Sequence, residues 1–250
     1  MAALSQHVAV PLRLLLVRHG LSSFNVERRI QGRDDLSTLT ATGQEQARRL
    51  GQALADIPIS AVYTSPLKRA ASTAAGILEA RNDGLRPSLD EGLLEIDLEP
   101  WSGLTADERS ARFPEQFAIW KQNPEALELI RQDGCSYRPY EELMQQARSF
   151  LDELFRRHPV NSDETVLLVG HNAILRCLIV TLLGNPERAF RRLRLDNASL
   201  SVFNLSERDS GHQVQIECLN STTHLEPPLP GKGSGSRLIL VRHGETDWNR

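Results

Sequence analysis

The sequence predicts an α/β protein, three layers deep, with a mostly parallel central sheet between helices. Three observations carry that reading. Leu14-Leu15-Leu16-Val17 is a short apolar run of the kind that a sheet buries on both faces. Thr165-Val166-Leu167-Leu168-Val169 is a second such run. Around them, apolar residues recur at helical spacing, so that strands alternate with helices.

Each of the two strands stops at a histidine. Arg18-His19-Gly20 follows the first and Gly170-His171 the second. The carboxyl edge of a parallel sheet is where open α/β folds bind ligands. An imidazole there can act as a nucleophile, and a neighbouring guanidinium can hold phosphate through its planar fork. Gly20 allows a tight turn and close approach of a ligand.

The elements follow in order. Residues 21–36 form a polar loop with Asn25, Arg28, Arg29, Gln31, Gly32 and Arg33, able to close over an anion. Thr42 and Glu45 have the spacing of a capping box, and Ala47, Leu50, Ala53 and Leu54 continue as a helix to Pro58. Residues 60–64 read as a second strand. Ser65-Pro66 then caps and starts a helix, which places Arg69 in a first turn that already favours anions. Leu93-Leu94-Glu95-Ile96-Asp97 sets carboxylates in an apolar stretch. Thr105 and Glu108 form another capping box, opening a helix that breaks near Pro114. Residues 115–140 read as short helices and loop. Residues 140–157 form an amphipathic helix through Leu143, Ala147, Phe150, Leu151, Leu154 and Phe155. Residues 174–183 continue from His171 as an apolar helix stopped at Gly184, and 200–205 and 213–219 read as closing strands.

With 29 basic and 32 acidic residues and a net charge of −3, the chain has no bulk attraction for nucleic acid or an anionic membrane. Three scattered cysteines, Cys135, Cys177 and Cys218, exclude a disulfide framework and a zinc site of CxxC type. No metal-ligand cluster or cofactor motif is visible. No apolar run reaches the ~18 residues of a membrane span and no signal peptide is read; a reducing cytoplasmic setting is expected.

The opening motif recurs. Arg237-Leu238-Ile239-Leu240-Val241-Arg242-His243-Gly244 repeats it 224 residues on, behind a stretch rich in Pro, Gly and Ser. The expected organisation is an N-terminal tail at 1–12, one complete domain at 13–225, a linker at 226–236 and the start of a second, homologous domain at 237–250.

Arg18-His19-Gly20, Ser65-Pro66-Leu67-Lys68-Arg69-Ala70 with Thr73-Ala74, Leu94-Glu95 and Gly170-His171, in this order, resemble the histidine phosphatase superfamily. That group contains the cofactor-dependent phosphoglycerate mutases and many phosphatases. The resemblance spans about 13–224, and the repeat resembles cyanobacterial and plant plastid members with two such domains, for which the stroma would be the compartment. It implies a phosphoglycerate mutase-like fold and a two-step phosphoryl transfer without a metal. In that scheme His19 becomes phosphohistidine. Arg18, Arg69 and His171 surround the phosphoryl oxygens, with Asn25 as a further donor. Glu95 resembles the general acid, in surroundings expected to disfavour its charge. Arg28, Gln31 and Gly32 are candidates for a substrate loop.

Three departures stand out. Leu21-Ser22 follows the first Arg-His-Gly where Glu and Thr or Ser are common, and Glu245-Thr246 follows the second. Glu99-Pro100-Trp101-Ser102-Gly103 replaces Gly-x-Trp-Glu-Gly, and Asn172 follows His171 in place of the commoner Gly. No Arg-rich substrate segment of the glycolytic mutase type follows Glu95. The expected activity is therefore hydrolysis of a small phosphorylated metabolite, with a phosphoglycerate mutase as the alternative and a non-catalytic phospho-ligand-binding module as a third reading.

Overall fold

The computed structural model describes residues 10–186, 188–208, 211–229 and 236–241. Arg242 and His243 of the repeated motif, residues 1–9 of the tail and 230–235 of the linker lie outside them. In chain order the elements are β1 (Leu12–Arg18), α1 (Ser23–Val26), α2 (Ala41–Ala53), β2 (Ala61–Thr64), α3 (Lys68–Arg81), β3 (Ser88–Leu89), α4 (Ala106–Arg112) and α5 (Pro114–Gln122). They continue with β4 (Leu129–Ile130), β5 (Ser136–Tyr137), α6 (Pro139–Arg157), β6 (Thr165–Gly170), α7 (Asn172–Leu182), α8 (Ala189–Arg192), β7 (Leu200–Arg208) and β8 (Gly211–Ser221).

Six strands form one mixed sheet in the order β3-β2-β6-β1-β7-β8. The pairs β1/β6, β2/β6 and β2/β3 are parallel, and β1/β7 and β7/β8 antiparallel. The central strands are covered on both faces, which is why they read as unbroken apolar runs. Leu14 and Leu16 of β1, with Val166 and Leu168 of β6, pack into the core under α6 and α7. Leu15, Val17, Leu167 and Val169 face the opposite core, under α2 and α3. Two layers of helix thus hold the ends of β1 and β6 side by side, with Arg18 in register with Gly170.

Two helix starts differ from the sequence reading. Helix α2 is capped by Thr40, whose Oγ1 accepts the Gly43 N–H at 3.0 Å. Thr42 and Glu45 form no box, because Glu45 turns outward and accepts from Arg48 and Arg49. Helix α3 begins at Lys68 with Leu67 at its cap; the Ser65 hydroxyl is engaged elsewhere. The box at Thr105 and Glu108 is present. Residues 236–241 form no strand, and Leu238, Ile239, Leu240 and Val241 are exposed. Among the described residues, no helix is long and apolar enough to cross a membrane.

Two glycines seat the loop that follows β1. A Cβ on Gly20 would lie 2.5 Å from the Gly43 carbonyl oxygen, and one on Gly43 would lie 2.2 Å from that of Leu21. Gly20 therefore serves backbone packing on α2, where the sequence suggested approach of a ligand.

Candidate active site

The strand ends place two imidazoles together. The His19 N–H donates to the Gly170 carbonyl at 2.9 Å, and the His19 and His171 ring centroids are 5.2 Å apart. His19 Nδ1 is 2.8 Å from the Gly20 carbonyl oxygen. A carbonyl only accepts, so Nδ1 carries the ring proton and Nε2 keeps its lone pair. Burial, then the charges of Arg18 and Arg69, hold the His19 imidazole well below its ordinary range. Its neutral form is thus the resting one.

His171 is fully buried at the start of α7. Its Nε2 lies 2.8 Å from Ser65 Oγ, which also accepts the Leu67 N–H at 3.3 Å. The Nδ1 atom is buried without a protein partner, which leaves it the ring nitrogen able to serve a further group. To donate there, His171 must carry its proton on Nδ1 and accept the Ser65 hydroxyl at Nε2. Burial, then the charges of His19, Arg69 and Arg18, also lowers its pKa.

Both guanidiniums are aimed by backbone carbonyls. Arg18 Nη1 donates to Leu195 at 2.7 Å. Arg69 is 0% exposed and donates to Asp34 at 2.7 Å and to Gly32 at 2.8 Å. The buried Nε atom of each lacks a protein partner. Burial lowers the pKa of Arg18 to about 10, which still leaves it cationic at neutral pH.

Asn25 Oδ1 accepts from Ser22 Oγ and from Asn197 Nδ2, each at 2.9 Å, which leaves Asn25 Nδ2 as a donor. Glu95 meets the start of α7. Its Oε1 accepts from the backbone N–H groups of Ile96, Ala173 and Ile174 at 2.9, 3.0 and 3.2 Å, two of them in the first turn of α7. Leu93 of the apolar stretch is buried in the core and Ile96 lines the cavity beside Glu95, while the carboxylate meets a helix N-terminus.

Arg18, His19, Asn25, Arg69 and Glu95 line one cavity of about 300 Å³. A larger groove between α2 and α3, about 670 Å³, holds no comparable set of groups. Among the described residues, no cluster of three His, Cys, Asp or Glu side chains is placed to hold a metal.

A family model described as the histidine phosphatase superfamily (branch 1) matches residues 14–219. The chain belongs to the histidine phosphatase superfamily. A probable 2-carboxy-D-arabinitol-1-phosphatase of Arabidopsis thaliana is 36% identical over 239 residues, 93% of this chain and 47% of that protein. The chain thus spans about half the length of this curated relative. Phosphoserine phosphatase 1 of Hydrogenobacter thermophilus is 35% identical over 214 residues, 86% of this chain and 94% of that one. The structure of Bacillus stearothermophilus YhfR superposes with a TM-score of 0.73 at 30% identity, covering 85% of this chain and 98% of that chain.

Most sequence candidates of this histidine phosphatase chain meet in the cavity. Gln31 lines it and accepts from Ser22 Oγ at 3.1 Å, and Gly32 lines it while holding Arg69. Arg28 does not reach it: the side chain is exposed, on a residue with φ of 58°, and its neighbour Arg29 lines the cavity in its place. Sequence reasoning missed Ser65 as the partner of His171. It also missed Asn197, whose Nδ2 reaches the His19 and Gly20 carbonyls at 3.1 and 3.2 Å. Arg109, Arg176 and Arg191 line the cavity too. Arg176 left a signal, as a single charge inside the apolar run 173–180; Asn197 left none.

Proposed function

We propose that the chain hydrolyses a small phosphorylated metabolite through a phosphohistidine at His19. One observation carries the reading: a neutral imidazole with Nδ1 tied to the Gly20 carbonyl, so that Nε2 is the nucleophilic atom, beside the buried guanidinium of Arg69 and the half-buried one of Arg18. His19 Nε2 attacks phosphorus as the ester oxygen leaves on the opposite side. Arg18, Arg69, Asn25 and His171 take the equatorial oxygens, so that catalysis is positioning plus charge stabilisation. Glu95 relays protons: in the first step from the phosphomonoester monoanion to the leaving oxygen, and in the second from the attacking water. Its Oε1 accepts from three N–H groups, whereas Oε2 shares only the Ala173 N–H at 3.2 Å and is the oxygen with room for that exchange.

The repeat of the opening motif at 237–244 and the greater length of the plant relative support a tandem arrangement, in which a second homologous domain follows the linker. The three cysteines, all free, suit a reducing compartment such as cytoplasm or stroma.

Rapid-quench labelling with a phosphomonoester tests the reading. An acid-labile, base-stable phosphoenzyme is expected in the wild type, with release of inorganic phosphate. His19→Ala should lose both label and turnover while keeping its fold by circular dichroism. A labelled His19→Ala protein would overturn the assignment. Transfer of the label to a phosphorylated acid rather than to water would make the protein a mutase. Binding without hydrolysis even of an aryl phosphate would make it a binding module.

A further inference from the structure

Six arginines and one carboxylate, Glu95, line the cavity. Arg18 and Arg69 flank His19, and two guanidiniums match the charge of one phosphoryl group. Arg29 is occupied by Glu27, Glu108 and the Gly103 carbonyl. Arg109, Arg176 and Arg191 remain, and among the described residues none of their guanidiniums hydrogen-bonds a carboxylate or carbonyl, although Glu95 attracts Arg176 at longer range. They come from α4, α7 and α8.

All three rest on aromatic faces. Arg109 lies 4.1 Å from the Phe117 ring and 5.1 Å from that of Trp101. Arg191 stands 4.6 Å over Trp120, and Arg176 5.5 Å over Phe190. Trp120 and Phe190 are edge to face at 6.5 Å, so the rings form one continuous ledge. Ring contact alone would account for a single stacked arginine at a surface. It does not account for three arginines whose one nearby carboxylate, Glu95, acts on Arg176 alone and is itself held by backbone N–H groups. Arg109 is 7% exposed and its Nε is unpartnered. Burial, then the Arg191 charge, lowers the pKa of Arg109; burial also lowers that of Arg176, where Glu95 opposes the shift and Arg191 adds to it. Such mutual repulsion in a desolvated cavity is relieved by an anion, and planar forks match a carboxylate or a phosphate.

Resting on the phosphatase reading, we infer that Arg109, Arg176 and Arg191 form a second anion subsite. The substrate is then a phosphomonoester whose organic part carries a carboxylate or a second phosphate. A cavity near 300 Å³ restricts that part to a small metabolite.

Matched substrate pairs test this on the full chain. Glycerol 3-phosphate and 3-phosphoglycerate differ by a carboxylate; fructose 6-phosphate and fructose 1,6-bisphosphate differ by a phosphate. At least a tenfold preference in kcat/KM for the more charged member is expected in one pair, and the pair that shows it identifies the anion. Arg191→Gln should cut that ratio at least fivefold, mainly through KM, with Arg191→Lys recovering part of it. Arg176→Gln is the second variant should the first fold poorly. Hydrolysis with ratios within twofold in both pairs overturns the subsite and leaves the phosphatase reading standing. If no ester is hydrolysed, p-nitrophenyl phosphate included, the phosphatase reading fails. Calorimetric affinities for the same pairs then decide the subsite, and equal Kd values within each pair overturn it.

Discussion

Arg18 and Arg69 are held by carbonyl oxygens of the backbone, whereas Arg109, Arg176 and Arg191 lie on ring faces. A carbonyl fixes the direction of a fork to within a hydrogen-bond angle. A ring face supports a cation but tolerates sliding. The inner half of the cavity is therefore built for one geometry, as transfer of a phosphoryl group demands. The outer half is built for charge, with latitude over shape.

The largest effect that sharpens this contrast is expected at Arg69. Lys keeps the charge and loses the fork. Arg69→Lys should lower kcat by roughly two orders of magnitude, about 2.7 kcal/mol, on every phosphomonoester tried. Steady-state kinetics on one neutral and one charged substrate will measure it. A loss confined to the charged substrate would place Arg69 in the outer half.

Next comes the scaffold of the inner half. Asn197 ties the His19 and Gly20 carbonyls to Asn25. Asn197→Ala should cost about tenfold in kcat, roughly 1.4 kcal/mol, with little change in KM. An unchanged kcat would mean that the Gly20–Gly43 contact positions His19 unaided.

The imidazoles of the inner half also couple stability to pH. His19 and His171 have folded-state pKa values well below 6.5. Below about pH 6.5 the unfolded chain binds protons that the folded chain refuses, so stability falls as pH falls. The limit is about 1.4 kcal/mol per pH unit for each histidine. Thermal unfolding from about pH 7 to about pH 5 should show a steeper loss in wild type than in His171→Asn. Parallel curves would mean that the His171 ring is protonated in the fold. The outer half contains no histidine, and Arg191→Gln should keep the wild-type slope.

The smallest effect lies at Ala198, buried with φ of 53° and donating to the Arg18 carbonyl at 3.0 Å. Left-handed backbone costs a non-glycine residue about 1–2 kcal/mol. Glycine returns part of the gain as entropy of the unfolded chain, about 0.4–1 kcal/mol. Ala198→Gly should therefore stabilise by roughly 0.5 kcal/mol in denaturant titration. Destabilisation would show that the Ala198 methyl packs better than the strain costs.

The same two halves differ in how far the sequence exposed them. β1 and β6 were legible because strands buried on both faces carry unbroken apolar runs, and each run ends in a histidine: His19 lines the cavity, and His171 is buried against it. Arg69 was legible from the turn before its helix, although the helix starts later and Ser65 serves His171. The antiparallel partners β7 and β8 could be read as strands, but nothing local states which neighbour they pair with. The partners of Glu95 were not legible, because two of the three N–H groups on its Oε1 belong to α7, far along the chain. The outer arginines were the least legible. No single segment carries them: they are spread from position 109 to 191 and meet only when α4, α7 and α8 pack together.

The glycine contact beneath His19 sets a limit on engineering. Replacing a glycine inside a helix by alanine is a common route to a more heat-resistant enzyme, with a gain of about 1 kcal/mol. Gly43 sits inside α2 and invites that change. Here the added methyl group would strike the Leu21 carbonyl and lift the nucleophile's loop off the helix. Directed evolution for heat resistance should leave this position untouched, and a library that randomises α2 should return glycine at 43 in every active clone.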